Sequence, residues 1–538
     1  MINSDVYDYR KPVLTLIRSI IAINKFSRVT NINKFNDNEI SKLWYKHLYL
    51  NANDYLEFVM NCINNLKKLM PKNYGIKIKT EAMKTYGQQL IEPKILPNEN
   101  EMNSQFYMIT PKLLSWALFV FDENFDKIEM NKFRIKFENY ADYYGLKLNE
   151  CFVSKCIQID NINDVDAIYH NLKLKNIDFV IFGISRGAKI NNIMLYDLIK
   201  YYGNTIHGLI NQVFCTKSIS GSPIENNFNL DDHDSTNRIK NSYFDNFLLK
   251  LCLKIKGQPN IIHPDHWQMV LPYDVNMKTM LIGINDLIRN YREEKLIFNT
   301  IIGTCDKIFT RYISITKISQ QYDEQLYESM FNELMEIYYK KNKYYPDIII
   351  MFQKFPIFDC KKILESNTSL NKIKLTVINV DKNSSSYFFP LKNDINYDNR
   401  ILVDNFLCYN SSLKEFFINI KMPCKSNDEQ MSDNSEYFLK SCLYTVIYDD
   451  CNFNDENIQE FCYTMCNYYC KRFECNLIPV PLEFADHFNH DGESRFNAFK
   501  IINHSKIDKD DYLDTIDKII EYFNENLKLH KNLEYSLF

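Results

Sequence analysis

The chain has 538 residues, 46% of them hydrophobic, and can therefore fill the cores of several domains. Its formal net charge of −4 at pH 7 excludes a global positive field as the means of attracting nucleic acid, and restricts any such site to a local basic pocket. The 15 cysteines form no paired motif and follow no signal-like start, which predicts reduced thiols in the cytoplasm, with the nucleus as the alternative. No apolar run approaches the roughly 20 residues of a membrane-spanning helix, so no membrane partner is expected.

The first part of the chain shows helical periodicity, which ends near residue 70. Residues 1–70 carry apolar side chains at helical spacing and are predicted to be a helical region. Residues 71–125 contain one alternating, strand-like stretch, Tyr74–Lys79, followed by Pro93 and Pro97. This second stretch is therefore predicted to be a linker.

From residue 126 onward, short apolar strands alternate with amphipathic helices, which is typical of α/β domains. In a first domain, 126–276, the predicted strands are 178–183 and 212–215, and the predicted helices are 192–202 and 240–255. In a second domain, 277–538, the predicted strands are 280–285, 298–305, 347–353, 374–381, 415–421 and 442–449, with helices at 322–342 and 456–471.

Four segments, taken in order and with their spacing, resemble eukaryotic Argonautes. They are Tyr74–Lys79 with Gly87 and Pro97, Leu195–Lys200 through Gln212, Leu251–Ile255, and Tyr444–Asp450. The resemblance implies a Rossmann-like MID domain at 126–276 and a ribonuclease H-like PIWI domain at 277–538. The family's N-terminal and PAZ domains have no counterpart in this sequence, which leaves open a naturally short product or a gene model that begins too late.

The resemblance places a phosphate pocket in the MID domain. Tyr196 and Lys200 are four residues apart on a predicted helix and share one face. In the family, Tyr, Lys and Gln at the spacing of Tyr196, Lys200 and Gln212 bind the 5′ phosphate of a guide. Lys254 matches a further phosphate lysine, and Lys256 is the candidate for the next one. A lone lysine is usually a solvated surface residue, but the joint spacing favours binding.

The same resemblance implies nucleic-acid partners beyond the terminal phosphate. The candidate contacts for the guide backbone are Lys217, Lys471 and Arg495. The loop Gly183–Lys189 corresponds to the family's loop that faces the first guide base. The expected partners are a small RNA with a 5′ phosphate, a target RNA and silencing effector proteins.

The family's cleavage site needs carboxylates that hold two divalent cations. The family uses Asp, Glu, Asp and then His or Asp, and the matching positions here are Asn285, Lys354 and Asp486, with Glu324 as the glutamate only after a two-residue gap. Asp286 follows Asn285, but strand alternation directs it to the opposite face. An amide and an ammonium at these positions predict a protein that is not an enzyme and has no magnesium cofactor.

Two alternatives stay open. Asp286 and Asp359 are candidate relocated ligands of an active magnesium-dependent endonuclease, and a protein scaffold without RNA would keep the fold alone. No metal is assigned elsewhere: the cysteines of one helix face, Cys462, Cys466 and Cys470, are predicted to be packing residues. The pairs His263 with His266 and His487 with His490 are predicted to be loop histidines.

Overall fold

The structure is a computed structural model of the chain. The described residues are 60–61, 64, 88–90, 93, 113–217, 235–257, 262–274, 276–291, 294–354, 358–382, 384, 400–404, 414–423, 437–468, 476–504, 516–526 and 528–533. The strand predicted at 74–79, nearly all of the predicted helical region, and the residues Cys470 and Lys471 lie outside them.

Strands and helices alternate through most of the described residues. The strands are β1 (Gln88–Gln89), β2 (Trp116–Val120), β3 (Val153–Cys156), β4 (Phe179–Ile184), β5 (Lys189–Ile190), β6 (Ile193–Met194), β7 (Ile210–Cys215), β8 (Thr279–Tyr291), β9 (Glu294–Thr304), β10 (Tyr312–Ser319), β11 (Ile348–Gln353), β12 (Lys374–Asp381), β13 (Arg400–Asp404), β14 (Lys414–Pro423) and β15 (Tyr437–Asp449). The α-helices are α1 (Lys127–Tyr143), α2 (Ile162–Leu174), α3 (Leu195–Tyr201), α4 (Ser235–Lys254), α5 (Pro264–Val270), α6 (Glu324–Asn342), α7 (Cys360–Ser366), α8 (Asp455–Asn467), α9 (Val480–His504) and α10 (Ile516–Asn526). A π-helical segment, Tyr202–His207, continues α3, and a 3-10 turn forms at Lys531–Leu533.

The chain divides into two compact units. The first comprises Met1–Ile91 and Val380–Ile447, and within it β1, β13, β14 and β15 pair in that order, all antiparallel. The second comprises Glu92–Asn379 and Tyr448–Phe538 and contains every candidate site residue that the structure describes. The domain boundaries drawn from the sequence stay predictions.

A four-stranded parallel sheet organises the first half of the second unit, in the order β3, β2, β4, β7. All residues of β2 and β4 are buried, because helices cover both faces of the sheet. Alternate side chains of β2 enter two cores: Ala117 and Phe119 face the core shared with α2 and α3, and Trp116 and Leu118 face the core shared with α1 and α4. This arrangement is the Rossmann-like α/β fold that the sequence predicts.

A second, mixed sheet in the same unit has the strand order β12, β11, β8, β9, β10. β11 is parallel to both β12 and β8, and β9 is antiparallel to both β8 and β10. The helix α9 packs against β8 and β9 and also against α3. It therefore connects the mixed sheet to the helix that lies between β4 and β7 of the parallel sheet. None of the described helices is both long and apolar enough to cross a membrane.

The prediction that the four histidines lie in loops was wrong for three of them. His487 and His490 lie on α9, and His266 lies on α5, where its side chain is buried and pairs with the Thr464 hydroxyl. Both helices carry a proline in the first turn, where its missing N–H costs no hydrogen bond. These prolines made both segments resemble loops in the sequence.

Two of the three cysteines singled out in the sequence lie on α8. Cys462 and Cys466 are fully buried there, and burial raises the pKa of the Cys462 thiol well above its usual value. They pack as apolar side chains, as predicted.

Gly283 allows the start of α9 to approach β8 closely. A Cβ built on Gly283 would lie 2.2 Å from the carbonyl oxygen of Pro481, and a backbone atom cannot rotate away. We expect Gly283→Ala to lower the free energy of unfolding by about 1–3 kcal/mol, the usual cost of overpacking. Thermal and urea unfolding would measure it. The exposed Glu525→Ala is the control, and a Gly283→Ala protein as stable as that control would contradict the packing described.

Candidate functional site

The helix α3 presents Lys200 towards the edge of the parallel sheet. Lys200 is only 3% exposed, and its ammonium donates a hydrogen bond to the side-chain oxygen of Asn211 over 2.9 Å. The same ammonium lies 5.6 Å from the ring centre of Tyr196, one helical turn earlier, so the two share a helix face as predicted. The Tyr196 ring keeps 38% of its surface exposed and is therefore open to a ligand.

Lys254 reaches the same asparagine from α4. Its side chain is 6% exposed, and its ammonium donates to the Asn211 backbone carbonyl over 2.8 Å. That carbonyl is within reach because β7 is an edge strand of the parallel sheet. Burial lowers the pKa of Lys254 well below its usual value, and the neighbouring Lys200 lowers it further. Two buried ammonium groups therefore converge on one residue.

Two polar residues in succession distinguish β7 from the apolar strand β4 beside it. Gln212 is 6% exposed, and its buried side-chain oxygen has no hydrogen-bond partner among the described residues. Asn211, its neighbour, was not among the predicted site residues, although it contacts both lysines. The signal that would have found it is an adjacent pair of amides within an otherwise apolar strand.

A chain of hydrogen bonds leads from Asn211 to α9. The Asn211 side-chain amide donates to the Asn204 side-chain oxygen over 2.8 Å, and the Asn204 amide donates to Asp491 over 2.5 Å. The other carboxylate oxygen of Asp491 accepts from Arg495 Nε over 2.9 Å. Arg495, a predicted contact of the guide backbone, is thus only 2% exposed and is held in an ion pair.

The described contacts of Lys256 do not include Lys200, Lys254 or Asn211. It follows α4 with a left-handed backbone, φ 65°, and its carbonyl accepts a hydrogen bond from Arg311. Burial lowers the pKa of Lys256, and Arg311 and Lys341 lower it further. The structure thus groups Lys256 with these two cations rather than with Lys200 and Lys254.

A cavity of about 370 Å³ opens where β2, β4 and β7 end. Ser185 and Arg186, from the loop predicted to face the first base, line it together with Lys217. Asp122, which also lines it, accepts a hydrogen bond from the Thr216 hydroxyl. The carboxyl edge of a parallel sheet is the usual place for a ligand in this kind of fold.

The three sequence positions of the expected cleavage site meet in the mixed sheet. Asn285 on β8 is 1% exposed, and its side-chain oxygen accepts from Lys354 Nζ, just beyond β11, over 2.6 Å. Its amide donates to Asp486 on α9 over 2.8 Å. An amide therefore bridges an ammonium and a carboxylate at this centre.

The carboxylate next to Asn285 points elsewhere, as strand alternation predicts. Asp286 accepts a hydrogen bond from the Tyr327 hydroxyl, which also lies 3.1 Å from the side-chain oxygen of Asn299. Burial raises the pKa of Asp286, while the Tyr327 hydrogen bond and the charge of Lys354 oppose that rise.

The remaining carboxylate candidates lie at helix starts. Glu324 is exposed in the first turn of α6, and Asp359 caps α7 by accepting from the Lys362 N–H over 3.5 Å. Among the described residues, no group of three His, Cys, Asp or Glu side chains is arranged to hold a metal ion.

The parallel sheet, the mixed sheet and the meeting of β8, β11 and α9 define an α/β protein with a ribonuclease H-like domain. Residues 179–496, more than half of the chain, match the family model described as Piwi domain, and the chain belongs to this family. No curated protein matches its sequence.

The fold is similar to that of several solved Argonautes. Kluyveromyces polysporus Argonaute with a guide RNA has a TM-score of 0.67 and 15% identity, over 92% of this chain and 61% of that one. Drosophila Piwi has a TM-score of 0.63 and 14% identity, over 85% of this chain and 61% of that one. The C-terminal lobe of a budding yeast Argonaute has a TM-score of 0.61 and 15% identity, over 85% of this chain and 93% of that one. The chain thus spans about three fifths of the length of the first two. The predicted family and fold class are confirmed.

The packing of α3 on α9 predicts a pH dependence of stability through Asp197. Burial raises the pKa of this carboxyl from 3.8 to about 6, although Ser494 and Asn497 hydrogen-bond to it. Because the folded pKa exceeds the unfolded one, the contribution of Asp197 is fully present below about pH 4 and is lost as the pH rises through 6. Asp197→Asn should remove this loss, which amounts to at most about 3 kcal/mol.

Urea unfolding from pH 4 to pH 7 measures that loss. The wild-type free energy of unfolding should fall relative to that of Asp197→Asn across this range. Asp265→Asn, whose side chain is 74% exposed, is the matched control and should follow the wild type. Parallel wild-type and Asp197→Asn curves would show that Asp197 does not titrate as described.

Proposed function

We propose that this protein binds a small guide RNA by its 5′ phosphate, pairs it with a target RNA, and does not cut the target. The observation that carries the proposal is the convergence of two buried ammonium groups, those of Lys200 and Lys254, on Asn211. Their positions match those at which the family holds a terminal phosphate.

Electrostatics favours an anion at this place. Buried charges of the same sign are unfavourable unless a counter-charge accompanies them, and the lowered pKa of Lys254 expresses that cost. A terminal phosphate carries nearly two negative charges and accepts several hydrogen bonds. Each charge-assisted bond contributes about 1.5–3 kcal/mol. The exposed ring of Tyr196 adds a surface on which the first base can stack.

The cavity at the carboxyl edge of the parallel sheet supports a path for the first nucleotide. Arg186 and Lys217 supply two cationic side chains there, Ser185 supplies a hydroxyl, and Asp122 and Glu129 supply two carboxylates. We assign the first base and the adjoining backbone to this region. The guides named for solved relatives include RNA in Kluyveromyces polysporus Argonaute and DNA in Clostridium butyricum Argonaute, so both belong in the test.

The arrangement around Asn285 supports a role without cleavage. The Lys354 ammonium lies 2.6 Å from the Asn285 oxygen. It is positively charged and therefore cannot act as a ligand of a metal cation. At roughly 4 Å and an effective dielectric constant of about 20, it would repel a divalent cation by about 8 kcal/mol, twice the unit-charge value. The donor set of Asn285, Lys354 and Asp486 therefore does not fit a pair of magnesium ions. Silencing would instead proceed in the cytoplasm through recruited effector proteins.

The phosphate pocket is tested by removing one charge at a time. Lys200→Met and Lys254→Met should each weaken binding of a short 5′-phosphorylated RNA by roughly ten- to a hundredfold, because each removes a charge-assisted hydrogen bond. Fluorescence anisotropy with 5′-phosphorylated and 5′-hydroxyl RNA, and with the matching DNA, measures the effect.

Lys340→Met is the matched control, because the Lys340 side chain is 74% exposed on α6. It should bind as the wild type does. Equal binding of phosphorylated and hydroxyl RNA by the wild type would refute the pocket. The absence of any binding would favour the scaffold alternative.

The absence of cleavage is tested with a guide-loaded protein, a complementary labelled RNA and magnesium. We expect no cleavage product above the level without protein. Restoring carboxylates with Asn285→Asp and Lys354→Asp together should partly restore cutting, because both replaced ligands would return. A single, magnesium-dependent product from the wild type would instead support relocated carboxylates, and its loss in Asp286→Asn would identify one of them.

A further inference from the structure

A carboxylate is linked to the proposed phosphate pocket through two asparagines. Asp491 is 5% exposed, and its charge acts on Lys254, whose pKa it raises against the larger effect of burial. Asp491 also accepts the hydrogen bond from Asn204, which in turn accepts from Asn211. The carboxylate is therefore both electrostatically and geometrically part of the pocket.

The same carboxylate engages a third cation. Arg495 Nε donates to Asp491 over 2.9 Å, and both side chains are nearly inaccessible to solvent. Both lie on α9, one helical turn apart, which is the spacing at which opposite charges meet. Because the pair is buried, salt screens its field less than it would at the surface.

We propose that Asp491 is an internal counter-anion of the phosphate pocket and sets how strongly the pocket prefers a phosphorylated end over a hydroxyl end. This inference rests on the proposed function, since it concerns the same pocket. Lys200, Lys254 and Arg495 supply three positive charges, and Asp491 offsets one of them. The arriving phosphate therefore competes with Asp491 for cations that are already partly satisfied.

The arrangement has a physical reason. Three buried cations without a carboxylate would destabilise the folded protein whenever no guide is bound, because each uncompensated buried charge is costly. Asp491 lowers that cost through its bond to Arg495 and its attraction to Lys254. The same attraction reduces the gain from binding a phosphate, so the preference for a phosphorylated end is smaller than the three cations alone would give.

A double-mutant cycle tests this role. The variants are Asp491→Asn, Arg495→Met and the two combined, with Glu525→Gln on the exposed face of α10 as the control that also removes one carboxylate. The readout is the ratio of the Kd for 5′-hydroxyl RNA to the Kd for the same RNA with a 5′ phosphate. The melting temperature of each variant reports folding.

Asp491→Asn should raise that ratio about tenfold or more, because a unit charge about 10 Å away, at an effective dielectric constant of about 20, changes binding by roughly that factor. Arg495→Met should lower the ratio, since it removes one positive charge and leaves the charge of Asp491 without a paired cation on α9. The combined variant should return close to the wild type, and Glu525→Gln should not change the ratio. A ratio that stays constant or falls in folded Asp491→Asn would overturn the inference.

Two further comparisons separate the role of Asp491 from loss of folding and from failure of the proposed function. If Asp491→Asn alone unfolds because Arg495 loses its partner, the combined variant against Arg495→Met measures the same effect of Asp491, and equal ratios there overturn the inference. If the wild type itself shows no preference for a phosphate, the proposed function fails. A wild-type preference that Lys254→Met abolishes and Asp491→Asn leaves unchanged removes only the role of Asp491.

Discussion

Buried positive charge is the constraint on which the proposed site depends. Lys200 and Lys254 come from two helices on opposite sides of the parallel sheet and meet at Asn211 on its edge strand. A side-chain oxygen and a backbone carbonyl satisfy one hydrogen bond of each ammonium, but neither neutralises its charge. On the proposed function, a negative group completes the pocket, and Asp491 already supplies part of that negative charge.

The helix α9 links that pocket to the centre of the mixed sheet. It carries Asp486, which accepts from Asn285, and one to three turns later Asp491 and Arg495, which belong to the pocket network. The close approach of Gly283 to Pro481 sets the distance of the helix from β8. A single rigid element thus positions the acidic groups of both sites.

The sequence predicted the elements whose patterns are local. The strand predicted at 374–381 coincides with β12, and the helix predicted at 322–342 begins two residues later at α6, where Asp323 caps it. The strand β10 and the helices α1 and α2 were not predicted. The helix α9 was also missed, because prolines near its start obscured a pattern that its contacts with β8, β9 and α3 stabilise.

The residues of the candidate sites also divide into those that local sequence patterns predict and those that depend on tertiary contacts. The spacing of Tyr196 and Lys200 was sufficient to place them on one face, and the resemblance to Argonautes gave the positions of Asn285, Lys354 and Asp486. Asn204 and Asp491 could not be inferred, because they bond to each other across 287 residues of the chain. For Asn211, the adjacent amides of β7 were the available sequence signal. The burial of Arg495, a predicted guide contact, likewise depends on Asp491 and on the packing around α9.

Each of the two sites contains a side chain whose charge is opposite to that of its charged neighbours. At the centre of the mixed sheet, Lys354 places a positive charge among the acidic groups Asp486 and Asp286. At the pocket, Asp491 places a negative charge among Lys254 and Arg495. In each case a side chain of the protein supplies a charge of the sign that a bound ion would bring. On the proposed function, the centre therefore holds no metal cation, whereas the pocket, with more cations than carboxylates, is completed by an anion.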